Sequence, residues 1–293
     1  MRSSRYLPPA ALVLLALIWG YTWVALKIGV AYSGPYTFAV LRTLPGGILL
    51  LGLAAALGRS VRPKAASLTA LLGLLLTGGF IGLATAALVT GGAGRIAILA
   101  NTWQFWILLM AWPILGEKVR GAQWLSVLLG LAGLVLIIEP WNLHGAVSSL
   151  LALAAAVCWA GSSIVAKVIR RRHEVELLSL TGWQSLFGSI PLLLVAVFVE
   201  GSLPEWSGAF IWTYVFALVV TTCIGAALWL YVLRELPAGI AGLGTMGTPV
   251  VGLLASWAQL GEQPTIPEIV GMIAVLAGMA ILFARGMTRL GAS

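Results

Sequence analysis

Between Ile98 and Ala111 the chain reads ILANTWQFWILLMA, and this apolar run carries Asn101, Thr102 and Gln104 within four residues, with Trp103 among them and Trp106 just beyond. Asn101 and Gln104 are spaced i,i+3 and would share one face of a helix. Neutral amides beside an indole suit the holding of a small amphipathic solute. Their other use is tying helices together, which is worth only about 0.6 kcal/mol on average in measured cases. Arg42, in FAVLRTLPGG, is the strong charge that lies clearly inside an apolar segment. Its guanidinium either meets a substrate carboxylate or snorkels to the headgroups. Trp19, Trp159 and Trp183, with Gln184 beside the last, also fall near the middle of apolar segments, whereas most membrane-protein tryptophan sits at the interface. In AGIAGLGTMGTPVVG, Gly247 and Pro249 mark a candidate helix break. Freed carbonyls and the Thr248 hydroxyl would line a cavity there, or the small residues would serve close helix packing.

Other chemistry is poorly supplied. The chain has no Asp, no HExxH and no CxxC, and His144 and His173 stand near segment ends. Cys158 and Cys223 lie within apolar runs and read as small buried residues. No nucleophile–base pair and no metal cluster is apparent, so an enzyme, a metal site and a cofactor are not expected. All nine acidic residues are Glu at segment ends or in loops, which disfavours proton coupling through a buried carboxylate.

The elements that must position the candidate residues follow from composition. Of 293 residues, 60% are hydrophobic and 9% charged, and the mean hydropathy is +1.03. Soluble domains carry roughly 25% charged residues. Continuous apolar runs, rather than alternation, indicate an all-α membrane protein. Ten transmembrane helices are expected near 8–30, 35–57, 66–90, 94–115, 120–138, 145–168, 176–199, 208–232, 237–260 and 267–285. The first, with its basic start, reads as an uncleaved span rather than a signal peptide. With the N-terminus inside, one side collects Arg2, Arg5, Arg59, Arg62, Lys64, Lys118, Arg120, Lys167, Arg170, Arg171, Arg172, Arg234, Arg285 and Arg289, fourteen of the seventeen basic residues. That is the positive-inside pattern, with both termini cytoplasmic. The net charge of +8 is spread over these loops, so it signals the lipid bilayer as partner and not nucleic acid. Trp106, Trp112, Trp206 and Trp212 are expected in interfacial belts or against lipid.

The chain also repeats itself. ALIWGYTWVALKI (16–28) lies over AVCWAGSSIVAKV (156–168), and LGEKVRGAQWLSVLLGLAGLVLI (115–137) over LGEQPTIPEIVGMIAVLAGMAIL (260–282), with offsets of 140 and 145. Residues 1–142 and 143–293 are therefore expected to form two five-helix repeats, and an odd number inverts the second. Inverted repeats around a midplane site are a transporter design. Gly116 and Gly261 suit the position after a helix, and Glu117 and Glu262 the positive start of the next one. Gly78-xxx-Gly82 reads as packing.

The early Trp of each half, the Leu-Gly-Glu closing each fourth helix and the 5+5 plan resemble EamA-type members of the drug/metabolite transporter superfamily. The resemblance spans nearly the whole chain. It implies a carrier, mostly of the exporting kind, for amino acids and other small metabolites. The fourth helix of a repeat commonly carries a proline; Pro249 supplies it in the second half, while Gln104 stands at the aligned place in the first. The expectation is a secondary transporter of the plasma (inner) membrane, monomeric or homodimeric. It would export a small-molecule substrate, amino acids foremost, by alternating access through a site of Trp19, Arg42, Asn101, Trp103, Gln104, Trp159, Trp183, Gln184 and Thr248. A carrier of another metabolite class and a non-transporting scaffold are the alternatives.

Overall fold

The structure, a computed structural model, describes residues 7–115, 121–139, 145–235, 245 and 247–290. Every regular element among them is helical. Helix α1 is Leu7–Gly29 and α2 is Pro35–Ala56. Helix α3, Ala66–Thr90, contains a π-helical stretch at Leu74–Ile81. The segment expected as one helix over 94–115 is two, α4 (Ala93–Asn101) and α5 (Trp103–Leu115), parted at Thr102. Helix α6 is Ala122–Ile138, α7 is Ala146–Arg172, and α8 is Leu177–Glu200. Helix α9 runs through Gly208–Val215, a π-helical stretch Phe216–Ile224, and Gly225–Glu235. Helix α10 is Gly247–Leu260 and α11 is Ile266–Leu290. Helices α1, α2, α3, α7, α8 and Gly208–Trp229 of α9 are long and apolar enough to cross a membrane; Gln123–Ile138 and Ile266–Ile281 are shorter apolar helices. Gly116, Glu117, the start of the segment expected at 237–260 and the side chain of Trp112 lie outside the described residues.

Apolar side chains face outward as well as inward: Leu14, Leu49, Leu128, Phe198 and Val199 are exposed. Lipid tails are as apolar as leucine, so the helices must be held by close packing and hydrogen bonds rather than by apolar burial. The sequence supplies glycine at the crossings. A Cβ on Gly133 would lie 2.5 Å from the Gly271 carbonyl oxygen, and one on Gly271 2.6 Å from that of Gly133, so α6 and α11 touch backbone to backbone. Gly47 and Gly182 do the same for α2 and α8, and the Gly78–Gly82 face of α3 lies against Pro191 and Leu192 of α8. Hydroxyls join the same pairs: Thr43 meets Ser189 across α2 and α8, and Thr22 meets Thr221 across α1 and α9, each at 2.8 Å.

The helix partners form a pattern. Helix α6 packs on α11, α2 on α8, α1 on α10, and α4 and α5 on α7; α7 also packs on α3, as α1 does on α9. Shifting a helix of the first half by about 140–145 residues gives its counterpart in the second, and each pairing then maps onto itself, as α6–α11 and α2–α8 do, or onto another of the same set. The two long π-helical stretches, Leu74–Ile81 and Phe216–Ile224, are themselves about 143 residues apart.

Glutamates close one end of the bundle. The Glu200 carboxylate accepts from the Tyr36 and Thr37 amides at the start of α2, both at 2.8 Å. Glu262 accepts from Ala93 and Gly94 at the start of α4, at 2.8 and 3.2 Å. These carboxylates satisfy donors that a helix start leaves unpaired, next to its positive dipole end. Glu262 was expected to serve the helix that follows it. That helix supplies its own cap instead: Thr265 and Glu268 bond each other's backbone amides, a capping box. Glu268 also pairs with Arg95 at 2.9 Å, and Thr265 donates to Glu139. Gly261, at φ +67°, has the left-handed backbone expected after a helix. At the other end Arg59 pairs with Glu176, whose carboxylate caps α8 through the Ser179 amide.

Candidate solute-binding site

The opening amide cluster turns out to surround a break in the chain's helical path. At Thr102 the backbone has ψ −5°. The Thr102 amide and hydroxyl both reach the Leu99 carbonyl, at 3.2 and 2.6 Å, and the Phe105 amide bonds the Thr102 carbonyl at 2.9 Å. These are i,i+3 bonds in place of i,i+4 ones. Asn101 turns its amide back onto the Ala97 carbonyl at 2.7 Å. Threonine and asparagine compete locally for backbone acceptors in this way, which explains a break without proline or glycine. The break separates Asn101, at the end of α4, from Gln104, in the first turn of α5, so the expected common helical face is interrupted.

Gln104 is buried, and its Oε1 has no hydrogen-bond partner among the described residues; the same holds for Oγ1 of Thr248 in α10. Most buried polar atoms are paired, so each such atom calls for an explanation. The two are linked by the repeat. At the offset of 145 Thr102 matches Gly247, where α10 begins, Trp103 matches Thr248 and Gln104 matches Pro249. Pro249 stands in the first turn of α10, where a missing N–H removes no intrahelical bond.

The indoles divide into groups. Trp103 stacks on Trp159 of α7 at 5.4 Å and 13°, and Phe80, from the π-helical stretch of α3, meets Trp159 edge-on at 4.2 Å. Trp19 packs on Trp229 of α9 at 5.7 Å. Its Nε1 lies where Gly225 leaves room, 2.6 Å from the position a Cβ there would take. The repeat partners Trp19 and Trp159 thus each lean on the third helix of the opposite half. Trp183 stands apart: its Nε1 donates to the Val61 carbonyl between α2 and α3 at 2.6 Å, near the basic end rather than mid-span. Gln184 is buried between α3 and α8, with Thr77 at 3.5 Å and Ser185 at 3.2 Å. Trp106, expected in an interfacial belt, is partly buried against the core and donates to Thr102 at 3.3 Å. Trp206 and Trp212 are exposed.

Arg42 does not snorkel. It is 9% exposed, and its Nε has no partner among the described residues. Among the described residues no hydrogen bond or ring contact joins Arg42, Trp19 and the Trp103–Trp159 pair to one another. Phe80, Trp229 and the π-helical stretches carry no strong signal in the sequence. The Thr-x-x-Glu of Thr265 and Glu268 does, and it marks the start of α11.

A model of the EamA-like transporter family matches residues 9–139 and 147–284. Among curated relatives, the chain is 27% identical to "Uncharacterized transporter YoaV" of Bacillus subtilis (strain 168), over 92% of this chain and 94% of that one. It is 28% identical to the "Probable amino-acid metabolite efflux pump" of Salmonella typhimurium, over 92% of each chain. It is also 28% identical to "Uncharacterized inner membrane transporter YedA" of Escherichia coli (strain K12), over 89% of this chain and 86% of that one. A solved crystal structure superimposes with a TM-score of 0.64 at 22% identity, covering 97% of this chain and 99% of its own, a likeness of fold.

Proposed function

The chain belongs to the EamA-like transporter family, and from that premise we propose that it is a secondary transporter that exports amino acids or closely related small metabolites. Ten spans form two inverted five-helix repeats, 1–142 and 143–293, in the plasma (inner) membrane, with both termini cytoplasmic. The exchange pattern of helix partners supports the inverted arrangement, as does the recurrence of π-helical stretches. Halves related in this way can rock between two nearly equivalent packings, which gives alternating access without a second fold. The curated relative named an amino-acid metabolite efflux pump supports the substrate class.

The observation that carries the site is the pair of unpartnered polar atoms, Gln104 Oε1 and Thr248 Oγ1, at or next to aligned points of the two repeats, with Gln104 next in sequence to the stacked Trp103. Burying such atoms without partners costs about 1–3 kcal/mol each. A solute that bonds them recovers this, while the rings take its apolar part. Asn101, Trp19 and Gln184 belong to the surrounding wall, and Gly247 and Pro249 to the point where the second half adjusts. The test is counterflow of radiolabelled amino acids in proteoliposomes. Saturable exchange supports the reading, and folded protein with no saturable flux of any amino acid or metabolite in a broad panel defeats it in favour of a scaffold.

A further inference from the structure

We infer that Arg42 forms an anion subsite, on the face of α2 turned toward α9, that holds the carboxylate of the transported solute; this rests on the carrier reading above. Arg42 is the eighth residue of the 22 in α2, within about 5 Å of the helix's midpoint at 1.5 Å per residue. Phe38 and Gly46, one turn to either side, share its face. Phe38 packs on Phe210 of α9 at 5.5 Å. A Cβ at Gly46 would stand 3.4 Å from Thr222 and 3.8 Å from Leu218, both in the π-helical stretch of α9. The guanidinium is therefore bracketed by α9 on the turn above and the turn below. The neighbouring Thr43 looks elsewhere, to Ser189 of α8.

Nothing in the described protein neutralises it. The guanidinium makes no ion pair or hydrogen bond there, and its Nε is buried and unpartnered. Helices α1, α2 and α3 contain no acidic residue, and α8 and α9 carry one each, Glu200 and Glu235, at their last positions. Glu200 is committed to the Tyr36 and Thr37 amides and the Thr37 hydroxyl. Arg95, a half-buried cation, has Glu268 and the Ile138 carbonyl. A guanidinium cannot shed its charge as a lysine can, and a desolvated charge without a partner is among the least favourable groups a core can hold. A ligand that supplies the counter-charge resolves this. The planar fork fits a carboxylate through two parallel bonds. A dianionic phosphate fits less well: Lys27, the other cation of α1 and α2, is engaged with the Leu88 and Val89 carbonyls near the glutamate-lined end. The site therefore selects monoanionic carboxylates, zwitterionic amino acids included, and rejects amines that lack one.

The test uses the full chain in nanodiscs, with tryptophan fluorescence reporting binding of L-phenylalanine, 3-phenylpropanoate, phenethylamine and phenyl phosphate. Wild type should bind the two carboxylates at least tenfold more tightly than the amine and more tightly than the phosphate. Arg42→Gln should lose that preference, and Arg42→Lys should keep part of it. Because Arg42 makes no internal bond, Arg42→Gln should melt no lower than wild type without ligand. A variant that fails to fold, or melts well below wild type, overturns the subsite in favour of a structural charge. So does an unchanged carboxylate preference, or wild type that binds no carboxylate or prefers phenyl phosphate. Flux separates the two readings: Arg42-dependent binding without saturable flux retires the carrier and keeps the subsite, whereas saturable flux indifferent to Arg42 does the reverse.

Discussion

Changing Gln104 to leucine separates a binding residue from helix glue, because the structure shows what glue would have to bond. If the amide tied helices together, its Oε1 would have an interhelical donor; it is buried and has none. Leucine has nearly the same volume and removes an acceptor whose unsatisfied burial costs about 1–3 kcal/mol. Without ligand the variant should therefore melt at or above the wild-type temperature. With solute bound, the loss of one matched hydrogen bond costs about 0.5–1.5 kcal/mol, and apparent affinity should fall about two- to twelvefold. The pair of assays is thermal melting in detergent and initial flux in proteoliposomes over a range of solute concentrations. A lowered melting temperature with unchanged KM would refute the argument and return Gln104 to a structural role.

Other expectations concern packing, topology and coupling. Gly133→Val should part α6 from α11 and sharply lower the yield of folded protein, whereas Gly52→Ala, with nothing within 4 Å of the added Cβ, should be neutral; size-exclusion profiles of the two distinguish them. Reporter fusions after Arg62 and Arg172 should report the cytoplasm and fusions near Leu203 and Pro264 the outside, and a cytoplasmic signal at Leu203 would break the inverted repeat. Exchange should vary weakly between about pH 6 and 8, since the spans hold no mid-helix carboxylate; a steep dependence abolished by one Glu→Gln change would expose a coupling acid.

Hydropathy alone located most helix ends to within a few residues, because in lipid a span must be continuous and apolar whatever it packs on. Partners were another matter. The Leu-Gly-Glu at 260–262 was readable as a helix stop followed by an N-terminal cap, yet Glu262 reaches across to α4, a choice set by tertiary packing. The break at Thr102 was invisible because it depends on hydroxyl and amide side chains turning onto their own backbone, without a proline or glycine to announce it. Position along an apolar run also misled for tryptophan. Trp106 is drawn inward by Thr102 and Trp183 outward to Val61, and neither neighbour can be inferred from spacing. Gly133 and Gly271 could be seen as small residues, but only the fold shows that they oppose each other.

The free groups of the interior make chemical sense together. Most hydroxyls of the helices are satisfied, either by their own carbonyls, as at Thr85 and Ser189, or by each other, as at Thr22 and Thr221. Backbone donors at several helix starts are met by carboxylates. Against that background the buried unpartnered atoms among the described residues are few: a guanidinium Nε at Arg42, an amide oxygen at Gln104, a hydroxyl at Thr248, and the Nε of an Arg95 otherwise engaged. Arg42 can only donate, Gln104 Oε1 can only accept, and Thr248 can do either. Under the proposed reading, the positive donor and the neutral acceptor would answer the carboxylate and an N–H group of a solute, and the Trp103–Trp159 stack its apolar body. A carrier must also release that solute. Groups with no internal partner hold it by bonds that water can replace when the site opens, so each pays little for letting go.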